Sequence, residues 1–279
     1  MKSILVINDF SAEAEHAAEL ALSLARNTGA NLLLWNAARV IEETAAVALH
    51  ASAHTHGDEE TVKNNYDTNP LLERLIMENS RHRGFKPIIT SMNTYSFTPN
   101  HLADVVVKQP IWMIVKGIAE YEQHRANELS TQSILSKACC PLLLVPQSAE
   151  IKDLEKIVYT ADLRYCRLEV LQLLKRLAQP FQSQLLVAHM PAKGLPDISD
   201  SYAATLFTDE ICSNIDYENL YFNHIKETDV PKAMDVLINA MHTDLLVLIN
   251  RRFHFDEIMG SAPDQLPDYI TVPVLVFPC

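Results

Sequence analysis

The residues best suited to hold a ligand lie near the end of the chain. The apolar run Leu245–Ile249 is followed by Asn250-Arg251-Arg252, and Gly260-Ser261 comes shortly after. A polar turn at the end of a strand presents main-chain N–H groups. Two guanidinium groups beside it match the charge of an anion, and a glycine at a helix start allows close approach to phosphate. The reading places a helix after Gly260. Ser261 then either touches the anion or caps that helix, with Asp264 at its third position. Arg251 and Arg252 either clamp an anion or form a solvated, salt-bridged turn. Asp9 and Asp162 each end an apolar run. Such positions meet ligands in α/β folds and equally suit the capping of a local turn.

Other chemistries have less in the sequence to carry them. His50, His54 and His56, with Asp58 and Glu59, form the densest metal-like cluster. His50 and His54 would stand one helical turn apart and could share a transition metal, whereas a polar loop with chance histidines reads the same way. Five cysteines, two of them adjacent (Cys139 and Cys140) and none in CxxC spacing, argue against a disulfide framework or a structural zinc site and suit a reducing cytoplasm. Cys139 and Cys140 lead into an apolar run and read as small core residues. No G-x-S-x-G nucleophile elbow, paired-carboxylate or redox motif occurs, so the expectation is a protein that is not an enzyme.

Bulk composition narrows the partners. A net charge of -12 disfavours nucleic acid and anionic membranes as general partners. The apolar fraction of 48% is that of a chain that buries a core. No run approaches the roughly 18 apolar residues of a membrane span. The first apolar run meets Asp9 too soon for a signal peptide, and the expected location is cytoplasmic.

The elements that must position these residues appear twice. Ser3–Ile7 reads as a buried strand, Ser11 caps a helix carrying Ala17, Leu20, Ala21, Leu24 and Ala25 at helical spacing, Gly29 ends it, and Asn31–Trp35 is the next strand. From Leu154 the pattern recurs: a strand ending in Asp162, a helix marked by Leu168, Leu171, Leu174 and Leu177, and the strand QLLVAHM. Asp9 to Asn36 is 27 positions, as is Asp162 to His189, which makes His189 a further candidate ligand residue. CCPLLLVPQ and TVPVLVFPC close the two copies. Alternating strands and helices imply a parallel sheet with helices on both faces, twice over. The expected domains are 1–147 and 154–279, joined by 148–153. Further expected elements in the first copy are a loop over 53–70, helices over 71–79 and 98–107, and strands over 86–93 and 111–115. In the second copy they are helices over 199–215 and 230–241 and strands over 219–224 and 245–249.

The stretch ILVINDFSAEAEHAAELALSLARNTGANLLL, the closing LLVLINRRFHFDEIMGSAPDQLPDYITVPVLVFP, and the duplication together resemble the universal stress protein family. The resemblance implies two flavodoxin-like, adenine-nucleotide-hydrolase-like α/β domains, each a five-stranded parallel sheet. Members that bind ATP carry Gly, two residues, Gly, nine residues, Gly and Ser or Thr after strand four. This chain departs from that pattern. Of its six glycines only Gly117 lies after strand four of the first copy, and Glu128-Leu129 stand at the Gly-Ser position. In the second copy Asn250 and Phe253 replace the first two glycines and the spacing to Gly260 is shortened.

The expectation is therefore a cytoplasmic, non-catalytic stress-response or regulatory module without a cofactor. The alternative is an ATP or AMP sensor using Asp162, His189, Asn250, Arg251, Arg252, Gly260 and Ser261. The apolar closing strands are expected to pair the two domains within the chain. A homodimer and the partner protein stay open.

Overall fold

The computed structural model describes residues 2–37, 69–94, 97–119, 129–250, 255–260 and 264–278. In the first half, β1 (Ser3–Asn8), α1 (Ala12–Thr28) and β2 (Asn31–Ala37) form the expected unit. Ser11 accepts a hydrogen bond from Ala14 N at the start of α1, and Gly29 ends the helix at φ 68°, a conformation that costs glycine little. There follow α2 (Pro70–Arg81), β3 (Ile89–Thr94), α3 (Pro99–Lys108), β4 (Ile111–Ile118), α4 (Thr131–Lys137) and β5 (Leu142–Pro146). Asn69, Thr98 and Ser130 cap α2, α3 and α4, and prolines open α2 and α3. Proline fits a first turn because its missing N–H would lack an intrahelical partner there.

The second half runs β6 (Lys156–Ala161), α5 (Leu168–Ala178), β7 (Gln184–His189), α6 (Asp200–Thr205), β8 (Leu220–His224), α7 (Val230–Asp235), β9 (Leu245–Ile249), α8 (Phe255–Met259) and β10 (Val274–Phe277). Helices α6 and α7 do not continue as regular α-helix through the spans expected from spacing. They pass into wider π turns over Leu206–Cys212 and Val236–Ala240.

All ten strands join one sheet in the order β3-β2-β1-β4-β5-β10-β9-β6-β7-β8. Each half repeats the same order, parallel throughout, and only the β5–β10 seam is antiparallel. At the seam Leu144, Leu143 and Leu142 face Val274, Leu275 and Val276, all buried. Two apolar edges that would each invite an outside strand thus cover one another. The core is divided by sheet face rather than by half. One cluster holds Ile4, Leu143, Tyr159 and Leu275, and the other holds Leu5, Leu144, Val158 and Val276.

This topology fixes where a ligand would meet the protein. Strand order reverses between β1 and β4, and again between β6 and β9, so each half opens a crevice at the carboxyl ends of those strands. Because the seam is antiparallel, the two crevices lie at opposite ends of the strands. The segment leading into β10 is thereby carried over the crevice of the first half. Among the described residues, no helix is long and apolar enough to cross a membrane.

Candidate functional site

In the first half the carboxyl edge of the sheet is occupied by the protein's own groups. Asn8, Asn36 and Asn93 stand in register on β1, β2 and β3. Asn8 Nδ2 donates to Asn36 Oδ1 and Asn36 Nδ2 to Asn93 Oδ1, both at 2.8 Å. Asp9 turns back onto Ser11, accepting from its backbone N at 3.1 Å and its hydroxyl at 2.5 Å.

Gly117 lies within β4, not beyond it, because the strand runs on to Ile118. A Cβ there would collide with the backbone of Glu13 and come within 2.8 Å of Ala14 N. Its glycine lets α1 sit on the sheet, and it is not a phosphate-loop residue.

Asp264 supplies the strongest departure from expectation. No helix is present in residues 264–273, so Asp264 is not a first-turn residue. It crosses to the first half, where its Oδ1 accepts from Thr131 N and Thr131 Oγ1, both at 2.7 Å, and pairs with Lys116 Nζ. The topology explains this, since the segment leading into β10 starts at the edge where β4 and β5 end. Near it, Ile118, Ser148, Leu266, Asp268 and Thr271 line a cleft of about 200 Å³ between the halves.

Burial alone would raise the Asp264 carboxyl. The Lys116 charge and the hydrogen bonds from Lys116 and Thr131 outweigh it and hold the group below its ordinary value of 3.8. A carboxyl depressed on folding contributes its full stabilisation above 3.8 and loses it as pH falls through the lowered folded value. The carboxylate is 43% exposed, which places the pair between exposed and buried ion pairs in strength. Asp264→Asn is expected to cost about 1–2 kcal/mol at neutral pH. Urea unfolding followed across pH should also show the variant losing less stability than the parent below pH 3.8.

The crevice of the second half has different chemistry at matching positions. Asp162 is fully buried. Its Oδ1 accepts from Arg164 N at 3.0 Å and Arg164 Nε at 2.9 Å, and its Oδ2 from Arg164 Nη2 at 2.6 Å and Ala192 N at 2.8 Å. Burial would raise this carboxyl, but Arg164 and the two backbone N–H groups hold it low. Of the two roles open to Asp162, the geometry supplies the capping one. It ties the turn Leu163–Tyr165 to the loop after β7.

His189 ends β7 with no exposure, and its Nδ1 accepts from Leu163 N at 3.2 Å. Burial lowers its pKa, and the neighbouring Asp162 charge offsets only part of that. Beside it on β8 stands His224, with ring centroids 4.8 Å apart. His224 Nε2 lies 2.9 Å from Asp197 Oδ1, and its Nδ1 lies 2.7 Å from Asp200 Oδ1. Lys226 Nζ meets Asp200 Oδ2 at 2.8 Å. Burial would raise Asp197 too, but the hydrogen bonds from His224 and Ile198 N, together with the two imidazoles nearby, hold it low.

The structure therefore brings Asp162 and His189 together and joins to them His224, Asp197 and Asp200, which the sequence reading left out. Extending the repeat register to the third strand would have found one of them, because Asn93 and His224 pair with the matching positions Asn36 and His189. Asn250 is buried at the end of β9, its N donating to Phe277 O at 2.8 Å. Gly260 follows α8 with φ 73°. Arg251, Arg252 and Ser261 lie outside the described residues, as do Phe253, Glu128 and the His50, His54 and His56 cluster. Cys140 is buried, and burial pushes its thiol, like that of Cys166, up to about 12. Cys139 is exposed rather than part of the core.

The fold and its two crevices define a duplicated, doubly wound α/β protein. No protein-family model and no curated protein matches the sequence. Solved structures do match its fold. A universal stress protein from Archaeoglobus fulgidus DSM 4304 gives a TM-score of 0.58 at 10% identity, over 98% of this chain and 97% of the other. A functionally unknown protein from Pseudomonas aeruginosa PAO1 gives 0.51 at 14%, over 99% and 92%. The chain thus has the universal stress protein fold along nearly its whole length.

Proposed function

We propose that the chain is a tandem universal stress protein acting in the cytoplasm as a non-catalytic stress-response or regulatory module. One observation carries this reading. Asp162, the acid that would meet a nucleotide, is engaged within the protein, its two oxygens accepting four hydrogen bonds from Arg164 and Ala192. A carboxylate so paired has little left to offer a ribose, and releasing it would leave a buried charge. Asp264 engages Lys116 in the other crevice in the same inward fashion. No general base or magnesium motif accompanies either crevice in the sequence.

The competing reading is a sensor that holds ATP or AMP in the second half. It rests on Gly260 and on the arginines at 251 and 252. A nucleotide present at about 100 times its Kd would stabilise the protein by about 2.7 kcal/mol. The expected result is a melting temperature unmoved by millimolar ATP or AMP with magnesium, and no nucleotide released when the purified protein is denatured for mass spectrometry. A ligand-dependent rise of several degrees would establish the sensor reading instead.

A further inference from the structure

We infer that the second half holds a divalent transition-metal ion of the zinc type, bound by His189 Nε2, His224 Nε2 and the Asp197 carboxylate. Strands β7 and β8 place the histidines side by side in register, and the loop after β7 folds Asp197 back between them. Asp197 Oδ1 lies 2.9 Å from His224 Nε2 and 3.5 Å from His189 Nε2. All three ligand atoms fall within 4.8 Å of one another, and this is the sole such grouping of three among the described residues. Zinc bonds of about 2.0–2.2 Å in tetrahedral geometry put neighbouring ligand atoms about 3.3 Å apart. The backbone is already in place to hold the ion.

A second observation points to the same ion. His189 Nε2 is buried, aimed at Asp197 and His224, and has no hydrogen-bond partner. An unpaired buried polar atom is costly, and a metal bond gives that atom a partner. The surroundings of His224 fit as well. Its Nδ1 faces Asp200, which is itself held by Lys226, the carboxylate support that ligating histidines usually have. His189 must bind with Nε2 bare, so its ring proton moves to Nδ1. Leu163 N, which now donates to Nδ1 at 3.2 Å, then gives up that bond. Two imidazoles and one carboxylate leave a fourth position for water or an incoming group.

The first half provides an internal control. Asn36 and Asn93 occupy the corresponding register positions, Asn36 Nδ2 donating to Asn93 Oδ1, so asparagine is a residue this fold accommodates there. The test uses the full untagged chain, stripped with chelator and titrated with Co2+ and then Zn2+.

One equivalent of Co2+ should give the visible bands of tetrahedral coordination, displaced by Zn2+, and Zn2+ should raise the melting temperature. His189→Asn, His224→Asn and Asp197→Asn should each abolish the bands while the chains still melt cooperatively. Asp200→Asn should weaken binding by about 10–100-fold. A His50, His54 and His56 triple alanine variant should keep the bands. The inference is overturned if the parent shows neither bands nor Zn2+ stabilisation. It is equally overturned if the bands survive His224→Asn and Asp197→Asn, or disappear in the triple variant.

Discussion

Gly117→Ala is expected to destabilise the protein by about 3 kcal/mol or more, at or beyond the upper end of ordinary overpacking. The added Cβ would meet backbone, not a side chain that can turn away. It would overlap the Glu13 carbonyl group and stand 2.8 Å from Ala14 N. Relief requires the first turn of α1 to lift from β4. That turn leads directly into Ala14, Ala17 and Ala18, all buried against the sheet. Thermal unfolding should show a fall of about 2–4 °C for each kcal/mol. Gly84→Ala is the matched control, since its Cβ would meet only the His82 side chain. It should stay within about 0.5 kcal/mol of the parent. A Gly117→Ala protein as stable as the parent would mean that this glycine has no packing role.

Asp162→Ala should cost about 3–5 kcal/mol, the effect of removing one partner from a buried ion pair. The change leaves Arg164 without its carboxylate and Ala192 N without an acceptor. Arg164 keeps 20% of its side-chain surface exposed and can turn partly to water, which favours the lower end of that range. Asp162→Asn preserves shape and some hydrogen bonding and should cost less. Urea unfolding checks both. A change of less than about 0.5 kcal/mol, the size of an ordinary surface substitution, would mean that the four hydrogen bonds to Asp162 add no net stability.

Much of the architecture was legible in the sequence because it is written in local terms. Ser11 and Gly29 bound α1 where capping chemistry requires. The run Leu245–Ile249 is β9 residue for residue. Helices α6 and α7 were over-extended as regular helix because apolar spacing does not separate α from π hydrogen bonding. Asp264 was misplaced for a different reason. Its apparent helix-capping position came from its nearest sequence neighbours, while its partners Lys116 and Thr131 lie in the other half of the chain.

The sequence by itself determined the repeated strand–helix alternation, the apolar faces, and the shortage of glycines where phosphate would need them. These follow from backbone preferences and burial, which act over a few residues at a time. Tertiary structure decided what the polar residues do. Asp162 reads in the sequence as a cap or a ligand residue, and the fold brings Arg164 and Ala192 N onto its oxygens. His189 and His224 are 35 positions apart along the chain, and parallel pairing of β7 with β8 makes them neighbours. Side-chain chemistry depends on distances of a few ångströms, and here sheet register and the antiparallel seam set those distances.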